Sequence, residues 1–195
     1  IDSVTESMDT YDLFAACSTV RQFLDVLTNW YIRRSRDRFW SGDQDAIDTL
    51  HTVLHLLSQI AAPLLPLLTD EIYRGLNGDD SASVHLTDWP TSSALPKDSA
   101  LVASMDLVRE VCSSALSVRK AHSRRVRLPL SSLTVACADA ATLEGFLDIV
   151  RDEVNVRDVV LTTDVDAVAS RELQVVPAVV GPRLGAHTQA VIIAV

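Results

Sequence analysis

A chain of 195 residues in which 48% of side chains are apolar is long enough to bury a core and lacks the composition of a disordered segment. Its formal net charge of −9 speaks against a surface that binds nucleic acid everywhere. The three cysteines, Cys17, Cys112 and Cys137, form no CxxC pair, which argues against a disulfide framework and for a reduced, cytoplasmic setting.

The acidic, polar start carries no signal-peptide pattern. The longest apolar stretch, 53–68, is interrupted by His55, Ser58, Gln59, Pro63 and Pro66 and is too short and too polar to span a membrane, so no membrane partner is expected. The opening at Ile1 and the apolar run 191–195 are expected to be cuts within a longer chain.

In chain order, Leu13, Cys17, Val20, Leu24, Leu27 and Tyr31 recur at alternating four- and three-residue spacing and predict one amphipathic helix over 9–40. Ser41 and Gly42 end it, Gly42 taking the helix-stop backbone angles. A second helix is expected over 43–62, capped by Ser41 or Asp43, with Ser41 and Gln44 at capping-box spacing. Pro63 and Pro66 break it, and a shorter helix comes next over 67–76. Residues 77–97 are loop-like around the island Val84-His85-Leu86.

A long helix over 98–124 keeps Leu101, Met105, Val108, Cys112 and Ala115 on one sector, and Pro129 closes this part. Beyond it the period changes. Residues 133–137 and 156–162 read as strands, 142–153 as a helix between them, and 171–176 as a candidate third strand. The expected fold is mainly α: a helical bundle over 1–127, including the loop 77–97, and a small α/β subdomain over 128–195.

The charge is unevenly spread. Nine of the 17 basic residues fall in 33–38 and 119–127, where the single acid is Asp37. Two basic patches on an acidic body suit local binding of a polyanion, although cations at helix C-termini also favour the helix dipole.

The densest signal is Asn29-Trp30-Tyr31-Ile32-Arg33-Arg34-Ser35-Arg36-Asp37-Arg38-Phe39-Trp40, four guanidinium groups among four aromatic rings. Unpaired RNA is held through phosphate contacts and by bases stacked on aromatic or guanidinium planes. At about 100° per residue, the stripe through Leu24, Leu27 and Tyr31 continues into Arg34 and Arg38, expected at the core edge, paired or capping neighbouring helix ends. Arg33, Arg36 and Trp40 project from the opposite side as the RNA-facing set, with Trp30 and Asp37 flanking them. Tyr31 and Phe39 read as packing. The second patch, Arg119, Lys120, Arg124, Arg125 and Arg127, is the other candidate for phosphate contacts; its alternative is a solvated helix end.

Other chemistries lack their parts. His51 and His55 share a helix face, but Thr52 stands where a zinc protease needs Glu and no third ligand is evident, so no metal site is expected. The glycines of 181–185 lack a phosphate-loop context, and Asp79-Asp80 reads as turn chemistry.

The twelve-residue run resembles the signature of the anticodon-binding domain of isoleucyl-tRNA synthetases, class I aminoacyl-tRNA synthetases. Further segments appear in that family's order: Ala62-Pro63-Leu64-Leu65-Pro66 through Tyr73, then Ser83-Val84-His85-Leu86-Thr87-Asp88-Trp89-Pro90, then Arg125-Val126-Arg127-Leu128-Pro129-Leu130 and Glu153-Val154-Asn155-Val156-Arg157. The family often has phenylalanine where Leu65 and Leu68 stand and a polar residue where Leu128 stands. After residue 171 the likeness weakens: 175–187 keeps Gly181-Pro182-Arg183-Leu184-Gly185 but lacks the family's lysines.

The resemblance implies an anticodon-binding bundle plus the start of a C-terminal junction region, with no catalytic residue of its own. The HIGH and KMSKS motifs are missing, and the only lysines are Lys97 and Lys120. It implies ATP-dependent isoleucine–tRNA ligation, with ATP and Mg used elsewhere in the full enzyme and no cofactor in this part. The implied partners are the anticodon stem-loop of tRNA(Ile) and the catalytic and editing domains of the same chain, not DNA. A valyl- or leucyl-type anticodon domain and a helical protein-interaction scaffold are the alternatives; the arginine-rich run after Tyr31 favours the isoleucine branch.

Overall fold

The structure is a computed structural model that describes residues 1–166 together with 168, 182, 183, 185–187 and 189. It divides into two compact units, Ile1–Pro96 and Lys97–Val195. The candidate third strand, 171–176, and most of 175–187 lie outside the described residues.

In the first unit the single helix expected over 9–40 is interrupted. Helix α1 (Asp2–Asp9) ends where Tyr11 enters the left-handed region at φ 59°, and α2 (Leu13–Val26) begins afresh. Asp12 explains the restart: its carboxylate accepts from the Ala15 N–H at 2.9 Å and satisfies an otherwise orphaned donor of the new helix. Then comes a π-helical turn, Leu27–Ile32, and a short α3, Arg36–Trp40.

Gly42 takes φ 73°, as its place at the helix stop requires, and α4 (Gln44–Ala61) is capped by Asp43, which accepts from the Ala46 N–H at 3.1 Å. Ser41 turns back instead and donates to the Arg38 carbonyl at 2.9 Å, so no capping box forms. Pro66 is the first residue of α5 (Pro66–Asn77), where its missing N–H costs nothing, and Gly78 at φ 64° closes it.

The core of this unit gathers Val4, Ala16, Val20, Ile60 and Ala61, with Ile1, Met8, Leu24, Leu57 and Leu64 around them. Ala16 and Ala46 are fully buried, and their small side chains let the helices approach closely. Asp70 ties α5 to the next loop by accepting from the Ser83 hydroxyl at 2.8 Å and the Val84 N–H at 3.0 Å, which holds its carboxyl below the usual range. Trp89 Nε1 donates to Thr5 Oγ1 at 2.9 Å and fastens that loop to α1.

The second unit contains α6 (Ser99–Ala121), capped by Asp98, then β1 (Leu130–Ala136), a 3-10 segment (Ala140–Phe146), α7 (Leu147–Val154) and β2 (Val156–Thr162). The strands pair in parallel, with Leu130 opposite Val156 and Ala136 opposite Thr162. The sequence alternation therefore marked both strands, although β1 starts three residues before the expected 133. The expected helix over 142–153 is shorter, because a 3-10 stretch fills its first part. Leu143, Val150 and Val154 on one side and Val108 and Cys112 of α6 on the other supply the most deeply buried side chains of the unit. By contact α6 belongs to this unit, whereas its amphipathic period alone had grouped it with the bundle. The described residues contain no helix long and apolar enough to cross a membrane.

Candidate nucleic-acid interface

A helix widened for one turn holds one residue more than its α-helical equivalent. The π turn at Leu27–Ile32 therefore displaces the inward stripe downstream of it. Leu27 is buried, Tyr31 half-buried, and the next inward position is Ser35, 6% exposed, rather than Arg34. Phe39 lies on the same side one turn later and meets Tyr31 edge-on at 6.3 Å. Tyr31 donates its hydroxyl to the Ala46 carbonyl at 3.3 Å. Both rings pack the helix end, as the sequence suggested.

Arg34, half-buried, lies over the Trp30 ring, 5.4 Å from its centroid. Partnered in this way, Arg34 keeps the expected place at the core edge, while the wide turn gives the inward position to Ser35. Trp30 is half-buried and gives one face to that cation. Arg38 behaves as predicted for a residue paired at a neighbouring helix end. Its Nε and Nη2 donate to the two Asp43 oxygens at 2.8 and 3.2 Å, on the residue that caps α4. The Arg38 guanidinium and the Ala46 N–H together hold the Asp43 carboxyl below its ordinary range.

Arg33, Arg36 and Trp40 are all exposed, Trp40 to 84%. Arg36 and Trp40 stand four apart and share one face of α3. Arg33, in the turn before, donates Nε to the Asn29 carbonyl at 2.8 Å, which orients an otherwise exposed side chain. An indole and two guanidinium groups are thus exposed at the helix end, beside Arg34 on Trp30 and Arg38 on Asp43.

The second patch divides differently. Lys120, Arg124, Arg125 and Arg127 are exposed, but Arg119 is only 3% exposed. It was expected on the RNA-facing side; instead its Nη2 donates to the carbonyls of Arg125, Val126 and Leu128 at 2.6, 3.3 and 2.6 Å. The chain leaves α6 through Ser123 at φ 54° and folds back over this guanidinium. From β2's side, Asn155 Nδ2 donates to the Val126 carbonyl at 2.7 Å. The sequence placed Asn155 in a family segment but gave it no role; it is a short amide residue at the junction of a helix and a strand, where its φ is 55°.

Comparison with known proteins decides the family. Residues 1–134 match the model of the anticodon-binding domain of tRNA ligases. The chain belongs to that family. It is 55% identical over 194 residues to the isoleucine–tRNA ligase of Nocardia farcinica, 54% over 198 to that of Corynebacterium efficiens and 55% over 194 to that of Mycobacterium tuberculosis. Each match covers 100% of this chain but only 18–19% of the relative, so the chain spans about a fifth of their length.

The histidines of this anticodon-binding chain are explained by packing. His51 and His55 stack at 6.3 Å, His55 lies 4.8 Å from the Tyr73 ring, and His51 Nε2 lies 3.3 Å from the Leu76 carbonyl. Together they join α4 to α5. Among the described residues no group of three or more His, Cys, Asp or Glu could hold a metal ion.

Proposed function

We propose that this chain is the tRNA-holding part of an isoleucine–tRNA ligase and that Arg33, Arg36 and Trp40 contact the anticodon loop of tRNA(Ile), with Trp30 behind them. The observation that carries this reading is the 84% exposure of Trp40 on one face with Arg36. A large ring held outward costs solubility and contributes little to folding, yet it offers a stacking plane for a splayed base. Family membership and the isoleucine–tRNA ligase relatives support the choice of ligand. An unpaired loop, rather than duplex DNA, suits a stacking ring that must reach the face of a base.

In this reading residues 1–127 serve as the RNA-binding domain and 128–195 as a junction region; the family match over 1–134 takes in α6, although by contact that helix packs with the second unit. Lys120, Arg124, Arg125 and Arg127 contact phosphates. In this reading isoleucine is activated with ATP and Mg in a catalytic domain outside this chain, which together with an editing domain is its partner in the same polypeptide, and the enzyme works in the cytoplasm.

The test is equilibrium binding of tRNA(Ile) and of a tRNA with an altered anticodon loop, to the chain and to R33A/R36A. Preference for tRNA(Ile), lost in the variant, is the expected result. Equal binding of both tRNAs by both proteins would refute the assignment and favour the scaffold reading.

A further inference from the structure

We propose that Arg119 and Asn155 are positioning residues that preform residues 122–128 as a clamp for the phosphodiester backbone of RNA. This rests on the tRNA-binding reading above.

Three features of the second unit carry the proposal. First, the loop is tied from within. One Arg119 nitrogen collects the carbonyls of Arg125, Val126 and Leu128, and Asn155 holds Val126 a second time. With its carbonyls turned inward, the loop displays Arg124, Arg125 and Arg127 to solvent. A loop held this way loses little freedom when it meets a ligand.

Second, the brace is costly if stability were its only purpose. Burying a guanidinium carries a large desolvation penalty, and here Nε and Nη1 of Arg119 have no hydrogen-bond partner. No carboxylate among the described residues pairs with it.

Third, the displayed charge is uncompensated. Residues 119–127 hold five cations and no Asp or Glu, and none of Lys120, Arg124, Arg125 and Arg127 makes an ion pair with a described carboxylate. Like charges fixed close together repel each other, a cost that a bound polyanion removes. A row of phosphates supplies that charge at a regular spacing, and the planar forks of arginine suit phosphate oxygens.

The experiment measures binding of a tRNA(Ile) transcript to the full-length polypeptide that contains this chain, across about 0.05 to 0.2 M salt, where phosphate contacts reveal themselves in the slope. Four proteins are compared: wild type, R124A/R125A/R127A, N155G, and N155G combined with the triple change. Glycine accepts φ 55° without strain, so N155G removes the amide that holds Val126 without distorting the turn. A second positioning variant, R119K, keeps the charge but ends in a compact ammonium on a flexible stem, without the rigid planar group that carries Nη2 to the three carbonyls.

The triple variant should lose at least about tenfold in affinity, with its salt slope shallower by about 2 to 3, the share of three duplex phosphates. N155G should lose about three- to tenfold while retaining every cation, and should cost nothing further in the triple background, the non-additivity expected of residues that act through one another. If R119K does not fold, N155G still decides the matter.

Unchanged binding by N155G at a temperature well below its melting point, losses that add, or wild-type binding by the triple variant would each overturn the proposal. Loss of discrimination in R33A/R36A alongside an indifferent loop would overturn this inference alone. Absence of tRNA binding by the wild type would overturn both readings.

Discussion

Replacing Trp40 by alanine separates binding from folding. The side chain is 84% exposed, so roughly a sixth of its area is removed from water on folding. For a tryptophan, that is about 40 Å² of contact, and at about 25 cal/mol/Å² it contributes about 1 kcal/mol at most. A base stacked on the free ring contributes about 1 to 3 kcal/mol by comparison. The W40A variant should therefore bind tRNA(Ile) about 5- to 150-fold more weakly, at 1.4 kcal/mol per factor of ~10. Its melting temperature should fall by no more than a few degrees, and W40F should recover part of the lost affinity. Fluorescence-detected tRNA titration, with circular dichroism melting run in parallel, measures both quantities. Wild-type affinity in W40A would refute the stacking role. A binding loss matched by collapse of the helix would show that Trp40 supports the fold instead.

The fold sets three further outcomes. Asp43 is held below its ordinary carboxyl pKa by Arg38 and the Ala46 N–H, so its contribution is fully present above about pH 4–5 and is lost as pH falls through the folded value; D43N should flatten that part of the acid-denaturation curve and start α4 less firmly. Leu143 is fully buried, and L143A should cost about 2 to 5 kcal/mol through the cavity it leaves, read by urea unfolding, whereas a cost near zero would mean that the second unit is not packed there. Deleting Thr28 from the π turn removes its extra residue and leaves everything downstream in phase, while deleting Thr52 from the regular α4 rotates the rest of that helix by about 100°. The first deletion should be tolerated and the second should unfold the chain in thermal melts; equal damage would refute the register argument.

The exposed set was legible because charge and aromatic placement need only an approximate helical phase. Arg33, Arg36 and Trp40 stay outward whether the turn before them is α or π. The inward stripe was less legible. A stripe that goes 27–31–34–38 differs by one residue from one that goes 27–31–35–39, and Ser35, being small and polar, gave no hydrophobic signal of its burial. The restart at Asp12 was hidden because Leu13, Cys17 and Val20 keep the same period on both readings, although Cys17 and Leu13 prove exposed. Arg119 was misplaced for a different reason. A cation in the last turn of a helix satisfies the dipole from solvent as well as from within, and only the backfolding of 125–128 draws it inside.

Of the nine clustered cations, three hold the scaffold: Arg34 covers Trp30, Arg38 grips the cap of α4, and Arg119 gathers the carbonyls of its loop. Each lies next to residues that face outward. Arg34 stands between Arg33 and Arg36, Arg38 between Arg36 and Trp40, and Arg119 before Lys120 and the loop arginines. In each of these three bracing places the sequence has arginine and not lysine. An ammonium is a compact point charge on a flexible stem, whereas a guanidinium can lie flat on an indole, bind both oxygens of a carboxylate, or hold its donors in a fixed plane. The same chemistry that lets arginine brace these elements lets the outward arginines meet phosphates and base edges with a defined orientation. Exchanging the bracing arginines for lysine should therefore weaken RNA binding without changing net charge, a result that a purely electrostatic account of the two patches does not produce.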